Sequence, residues 1–96
     1  MREKTIQKGF KKICNIINRM ENNTSLDDIR EDVKITRKLL IEVHCFRHED
    51  DDLFYGEPYM YEIYAIKENE PVDCVTFIAR DKRIESDVMY LLNCYV

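Results

Sequence analysis

Residues 59–80, YMYEIYAIKENEPVDCVTFIAR, constrain the fold more than any other stretch of the chain. Two runs rich in β-branched and aromatic residues, 59–67 and 72–80, flank the short polar segment "ENEP". Such runs favour strands, and a connection this short joins antiparallel neighbours in a hairpin. With Lys67 opposite Val72, Ala65 pairs with Cys74, Ile63 with Thr76 and Tyr61 with Ile78. The other face then carries Met60, Tyr64, Ile66, Val75 and Phe77, so both faces are largely apolar. Helices on two sides, or a homodimer across one face, would cover them.

Upstream, "KLLIEVHCF" (38–46) alternates in the same way and predicts a preceding strand. The N-terminus has a different period. Ile6, Phe10, Ile13, Ile17 and Met20 recur along one side of a helix over 4–20, with Cys14 and Ile16 widening the stripe. Gly9 weakens that helix by about 1 kcal/mol relative to alanine. "SLDDIREDVK" restarts a helical spacing through Leu26, Ile29 and Val33, with Ser25 as cap and Asp27 and Asp28 in the first turn. It predicts a second helix over 26–35. In the tail, Ile84, Val88, Leu91, Leu92 and Tyr95 fit a helical face capped by Ser86 or Asp87, although "VMYLLNCYV" also reads as a fourth, buried strand. The expectation is a single α+β domain over 1–96: a three-stranded antiparallel meander (four strands if the tail is extended) with two N-terminal helices and a C-terminal helix.

Ninety-six residues with 45% hydrophobic content are enough for one core without disulfides. The four cysteines are widely spaced, the pattern of free, mostly buried thiols in a reducing compartment. No membrane span or secretory signal is legible, and a cytoplasmic protein is expected, in a host cell if the chain is viral. The net charge of −4 conceals a division. Arg2, Lys4, Lys8, Lys11, Lys12 and Arg19 face only Glu3 within residues 1–20, whereas the remainder is strongly acidic. That acidity argues against direct nucleic-acid binding by the basic helix, whose polar face also lacks interleaved aromatics.

The sharpest chemical candidate is a zinc half-site in "HCFRH". His44, Cys45 and His48 supply imidazole and thiolate ligands, and Cys74 is available to complete the set, as are Cys14 and Cys94. In an extended strand His44 and His48 share a face but stand about 13 Å apart, and Cys45 and His48 point oppositely. The set converges only if the chain turns at Arg47. A structural zinc that stabilises a small regulatory or interaction domain is therefore the alternative reading; otherwise no cofactor is expected. The run Glu49, Asp50, Asp51, Asp52 lacks the alternating ligands of a calcium loop. With two glycines and no catalytic motif, the chain is not expected to be an enzyme.

The remaining surface is an acidic, aromatic connection. Glu49, Asp50, Asp51, Asp52, Phe54, Tyr55, Glu57 and Tyr59 combine large contact area with charge that steers toward a basic protein. These residues are the expected partner-binding set. In size, acidity and lack of catalytic motif, the chain is similar to small phage-encoded inhibitors of the anti-CRISPR type and to bacterial immunity proteins. That resemblance assigns no residue roles. It implies stoichiometric inhibition of a partner such as a nuclease, by occupying its basic, nucleic-acid-binding surface.

Overall fold

The computed structural model describes residues 1–22, 28–47, 59–78 and 83–96. Within them the order is α1 (Arg2–Glu21), β1 (Ile29–Lys34), β2 (Leu39–Arg47), β3 (Tyr59–Lys67), β4 (Glu70–Ile78) and α2 (Ile84–Tyr95). The four strands form one antiparallel sheet in the order β1-β2-β3-β4. α1 packs against β1 and β2, α2 against β3 and β4, and the two helices against each other.

The α+β class holds, with one N-terminal helix rather than two. The second helix expected over 26–35 is replaced by β1, and residues 23–27 lie outside the described part. Ile29 and Val33 stand four apart, a spacing that suits a helical face and equally one face of a strand. The sheet decides between them: β2 has a free edge, and Ile29–Lys34 pairs along it from Ile29↔Cys45 to Lys34↔Leu40. The fourth strand is thus β1, and the tail is helical.

The β3–β4 register also differs from expectation. The chain reverses through two residues, Glu68 and Asn69, both at positive φ (53° and 67°), which is the backbone of a tight two-residue hairpin turn. Lys67 therefore faces Glu70, and a bulge between Ala65 and Ile66 brings Ala65 opposite Asp73, Ile63 opposite Val75 and Tyr61 opposite Phe77. A shift of one residue exchanges the faces. Val75 and Phe77 join the core, and Cys74, Thr76 and Ile78 turn to the other side. Pro71, with no N–H to donate, is accommodated because β4 is an edge strand.

The core lies on one side of the sheet. Ile41, Val43, Cys45, Tyr61, Ile63 and Ala65 are fully enclosed by Ile13, Ile16, Ile17 and Met20 of α1 and by Val88, Leu91 and Leu92 of α2. Burial of each large aliphatic side chain contributes about 1.5–3 kcal/mol. Gly9 is part of this packing: a Cβ there would lie 3.0 Å from Ile35 Cδ1 and 3.3 Å from Leu92 Cδ2. At the helix ends, the Arg2 side chain donates to the Val96 carbonyl at 3.2 Å and to the Asn93 carbonyl, placing a cation on the unpaired carbonyls closing α2. Arg83, not Ser86 or Asp87, stands at the N-cap position of α2 and makes no side-chain capping bond; the Ser86 hydroxyl donates back to the Arg83 carbonyl at 3.0 Å.

Candidate functional site on the open sheet face

Both helices cover the same face, so the opposite face of the sheet, expected to be covered as well, has no helix packed on it among the described residues. Alternation along the strands decides what it presents. β2 contributes Leu40, Glu42, His44 and Phe46; β3 contributes Met60, Glu62, Tyr64 and Ile66; and Ile78 extends it on β4. These side chains are half-buried by one another. The His44 ring lies 5.3 Å from that of Tyr64 and 6.0 Å from that of Phe46, at tilted angles of 58° and 42°. Such offset contacts fix a shared aromatic surface.

Two carboxylates are set into this surface. Glu42 accepts from Arg30 of β1 and lies 3.6 Å from His44 Nε2, which is buried and makes no hydrogen bond. Glu62 accepts from the Tyr64 hydroxyl, and that bond pushes the phenol up to about 12, because ionisation would set two anions side by side. Glu62 and burial raise the nearby Cys74 thiol, burial being the larger cause. The face is therefore apolar and aromatic, with two carboxylates at its centre, of which Glu42 is paired with Arg30.

On the covered side, Arg47 is buried at the end of β2. Its guanidinium lies 4.6 Å from the centroid of the Tyr59 ring and donates to the Met20 carbonyl near the end of α1, while its backbone N–H donates to Asp28 Oδ1 at 3.2 Å. A cation over an aromatic face and on the closing carbonyls of a helix is favourable twice over. The anchored pair Arg47↔Tyr59 brackets the acidic connection.

The expected metal ligands separate. β2 continues through Arg47, so His44 and Cys45 occupy opposite faces: Cys45 is buried under the helices, His44 and Cys74 stand on the open side, and His48 lies outside the described residues. Burial raises the Cys45 thiol, opposed by the neighbouring Arg47 cation and the Tyr61 hydroxyl. Among the described residues, no group of three or more His, Cys, Asp or Glu side chains is arranged to hold a metal ion. Of the expected partner-binding residues, Glu49, Asp50, Asp51, Asp52, Phe54, Tyr55 and Glu57 lie outside the described part. Tyr59 is half-buried beneath Arg47, and the sequence carried no signal for that engagement.

Sequence reasoning did not single out Phe46, Tyr64, Glu42 or Glu62. Their common alternation was legible, but which side the helices would leave open was not. Among the described residues, no helix is long and apolar enough to cross a membrane. Comparisons with protein families, with curated proteins and with solved structures find no match to this chain.

Proposed function

We propose that the protein acts by occupancy rather than turnover, as a stoichiometric inhibitor that covers a basic, nucleic-acid-binding surface of a partner enzyme such as a nuclease. The observation that carries this reading is the open sheet face, where Phe46, Met60, Tyr64 and Ile66 form an aromatic and apolar surface around Glu42 and Glu62. Aromatic side chains give contact area at small entropic cost, and carboxylates among them select a cationic counterpart. The acidic residues 49–52 follow β2 directly in the chain and add to the same sign of charge. Negative groups on a protein surface can replace phosphates in a groove built to hold a nucleic-acid backbone.

The test is a titration of the protein into purified RNA-guided nucleases, with cleavage of a labelled target as readout. Cleavage should stop at one equivalent, and binding should weaken as salt rises. Phe46→Ala with Tyr64→Ala, and separately Asp50, Asp51 and Asp52→Lys, should weaken inhibition while the fold persists. Undiminished cleavage in large excess of the protein, or inhibition that target nucleic acid does not compete away, would overturn the proposal.

A further inference from the structure

The acidic segment departs after Arg47 and returns at Tyr59, at one end of β2 and β3. The turns joining β1 to β2 and β3 to β4 lie at the other end, and the first of them approaches Gly9 of α1 through Ile35. There the basic residues of the N-terminal helix meet a second basic group that is remote in sequence. A groove of about 240 Å3 is lined by Thr5, Lys8, Gly9 and Lys12 on α1 and by Lys34 and Ile35 at the end of β1. A neighbouring groove of about 380 Å3 shares Lys34 and carries Arg37 and Lys38 on its wall, with Glu68 as its one acidic member among the described residues. We propose that this end is a docking surface for the phosphate backbone of a nucleic-acid strand.

Three observations carry it. Lys8, Lys12, Lys34, Arg37 and Lys38 form no ion pair with a carboxylate among the described residues, so their charge is uncompensated. The two grooves share Lys34, so the cations of α1 and those of the β1–β2 turn come together around one residue. The grooves are also held in shape. The Thr36 hydroxyl accepts from the N–H groups of Lys38 (3.2 Å) and Leu39 (3.0 Å), and the Ile35 N–H donates to the Leu39 carbonyl at 2.9 Å. On the other wall, the missing side chain of Gly9 lets α1 approach Ile35 closely.

A linear polyanion with regularly spaced charges matches such a cluster. A membrane surface fits it less well, because the exposed large apolar side chains of the described residues, Met1, Val72 and Tyr90, do not line either groove. The acidity of the remaining chain argues against nucleic-acid binding only while that charge is spread evenly. Among the described residues, Glu68 is the one acidic side chain that lines either groove. This inference stands on its own observations and is independent of the proposed inhibitory role.

The experiment is fluorescence anisotropy of a labelled mixed-sequence single-stranded oligonucleotide titrated with the full chain at low and moderate salt. Binding should weaken with a log–log salt slope of about −2 to −3.5, as expected for three to five phosphates. Lys8→Glu with Lys12→Glu, and Lys34→Glu alone, should each reduce affinity by about tenfold or more. Lys4→Glu with Lys11→Glu makes the same change in net charge outside both grooves and should cost far less. Circular dichroism verifies that each variant is folded. No binding at low salt, an equal loss in the Lys4/Lys11 variant, equal competition by polyglutamate, or preference for phosphatidylserine vesicles over the oligonucleotide would each overturn the assignment. Partner inhibition is read separately, so either proposal can fail without the other.

Discussion

The Tyr95 hydroxyl donates to the Asp73 carboxylate at 2.8 Å, tying the last turn of α2 to the edge strand β4. Tyr90, one turn earlier, donates to the same Oδ2 at 2.8 Å, and Lys67 Nζ stands 5.9 Å from the Tyr95 ring centroid. The two hydroxyls lower the Asp73 carboxyl below its ordinary value, and the carboxylate in turn raises both phenols, Tyr90 to about 12. Because the bridge is solvent-accessible, its expected role is to hold α2 in register on the sheet more than to add large stability. Tyr95→Phe should lower the Tm by roughly a few degrees, and Asp73→Ala by more than either tyrosine variant, in thermal unfolding followed by circular dichroism.

The same cluster predicts a pH dependence. Asp73 has a folded-state pKa below its ordinary 3.8, so its stabilisation is complete above that value and is lost as pH falls through it toward the lower folded value. Tyr90 is shifted the other way: its contribution is complete below 10 and is lost as pH rises toward about 12. The difference in Tm between the wild type and Asp73→Asn should be constant near neutrality and shrink below pH 4. A difference that persists unchanged in acid would remove the carboxylate from the bridge.

Gly9 balances helix propensity against space. Alanine would gain about 1 kcal/mol in the helix, but its Cβ would press on Ile35 Cδ1 at 3.0 Å and Leu92 Cδ2 at 3.3 Å. Ile35 is half-exposed and its terminal methyl can move, whereas Leu92 is fully enclosed. Gly9→Ala should therefore be close to neutral in chemical denaturation. Gly9→Leu should destabilise by about 1–3 kcal/mol through overpacking.

Tyr61 is fully buried, and its hydroxyl has no oxygen or nitrogen partner; its neighbour is the Cys45 thiol, a weak acceptor. Burial is also the main reason its phenol is raised. Removing an unsatisfied buried hydroxyl while keeping the ring should cost nothing. Tyr61→Phe is expected to retain or raise the Tm, and a clear loss of stability would show that the hydroxyl has a structural partner. Tyr61→Ala, which empties the space against Phe77 (ring centroids 5.3 Å apart), should cost about 3–5 kcal/mol.

The four thiols should separate by reactivity. Cys74 and Cys94 are exposed, Cys14 is half-buried, and Cys45 is enclosed. Burial raises Cys14, Cys45 and Cys74, the last with help from Glu62, reducing the thiolate fraction that reacts. Labelling of the native protein with a disulfide reagent at neutral pH, mapped by mass spectrometry, should modify Cys94 promptly, the exposed but less ionised Cys74 more slowly, and Cys45 only after denaturation. Prompt labelling of Cys45 would contradict its enclosure beneath the helices.

How much was legible follows from how each signal is encoded. The stripe Ile6–Ile13–Ile17–Met20 admits one interpretation, because about four turns of consistent spacing fit no strand. The alternation in "KLLIEVHCF" and "YMYEIYAIK" is equally local and is found almost residue for residue. Ile29 and Val33 are different: two apolar residues four apart satisfy both periods, and only pairing with the free edge of β2 makes them a strand. The two sides of β4 depended on a turn of two residues instead of four and on a bulge, so Val75 and Phe77 moved from one face to the other.

By itself, then, the sequence determined the α+β class, the long basic helix, the β2, β3 and β4 strands and the separation of acidic from basic residues, since these follow from local period and composition. Tertiary structure alone decided that both helices share one face, which leaves Phe46, Tyr64, Glu42 and Glu62 on the face that no helix covers among the described residues. It also decided that Cys45 lies across the sheet from His44, and that Lys8 and Lys12 meet Lys34, Arg37 and Lys38. The physical reason is the same in each case: which face is covered, and which distant segments become neighbours, are set by packing of the whole sheet against the helices rather than by any run of adjacent residues.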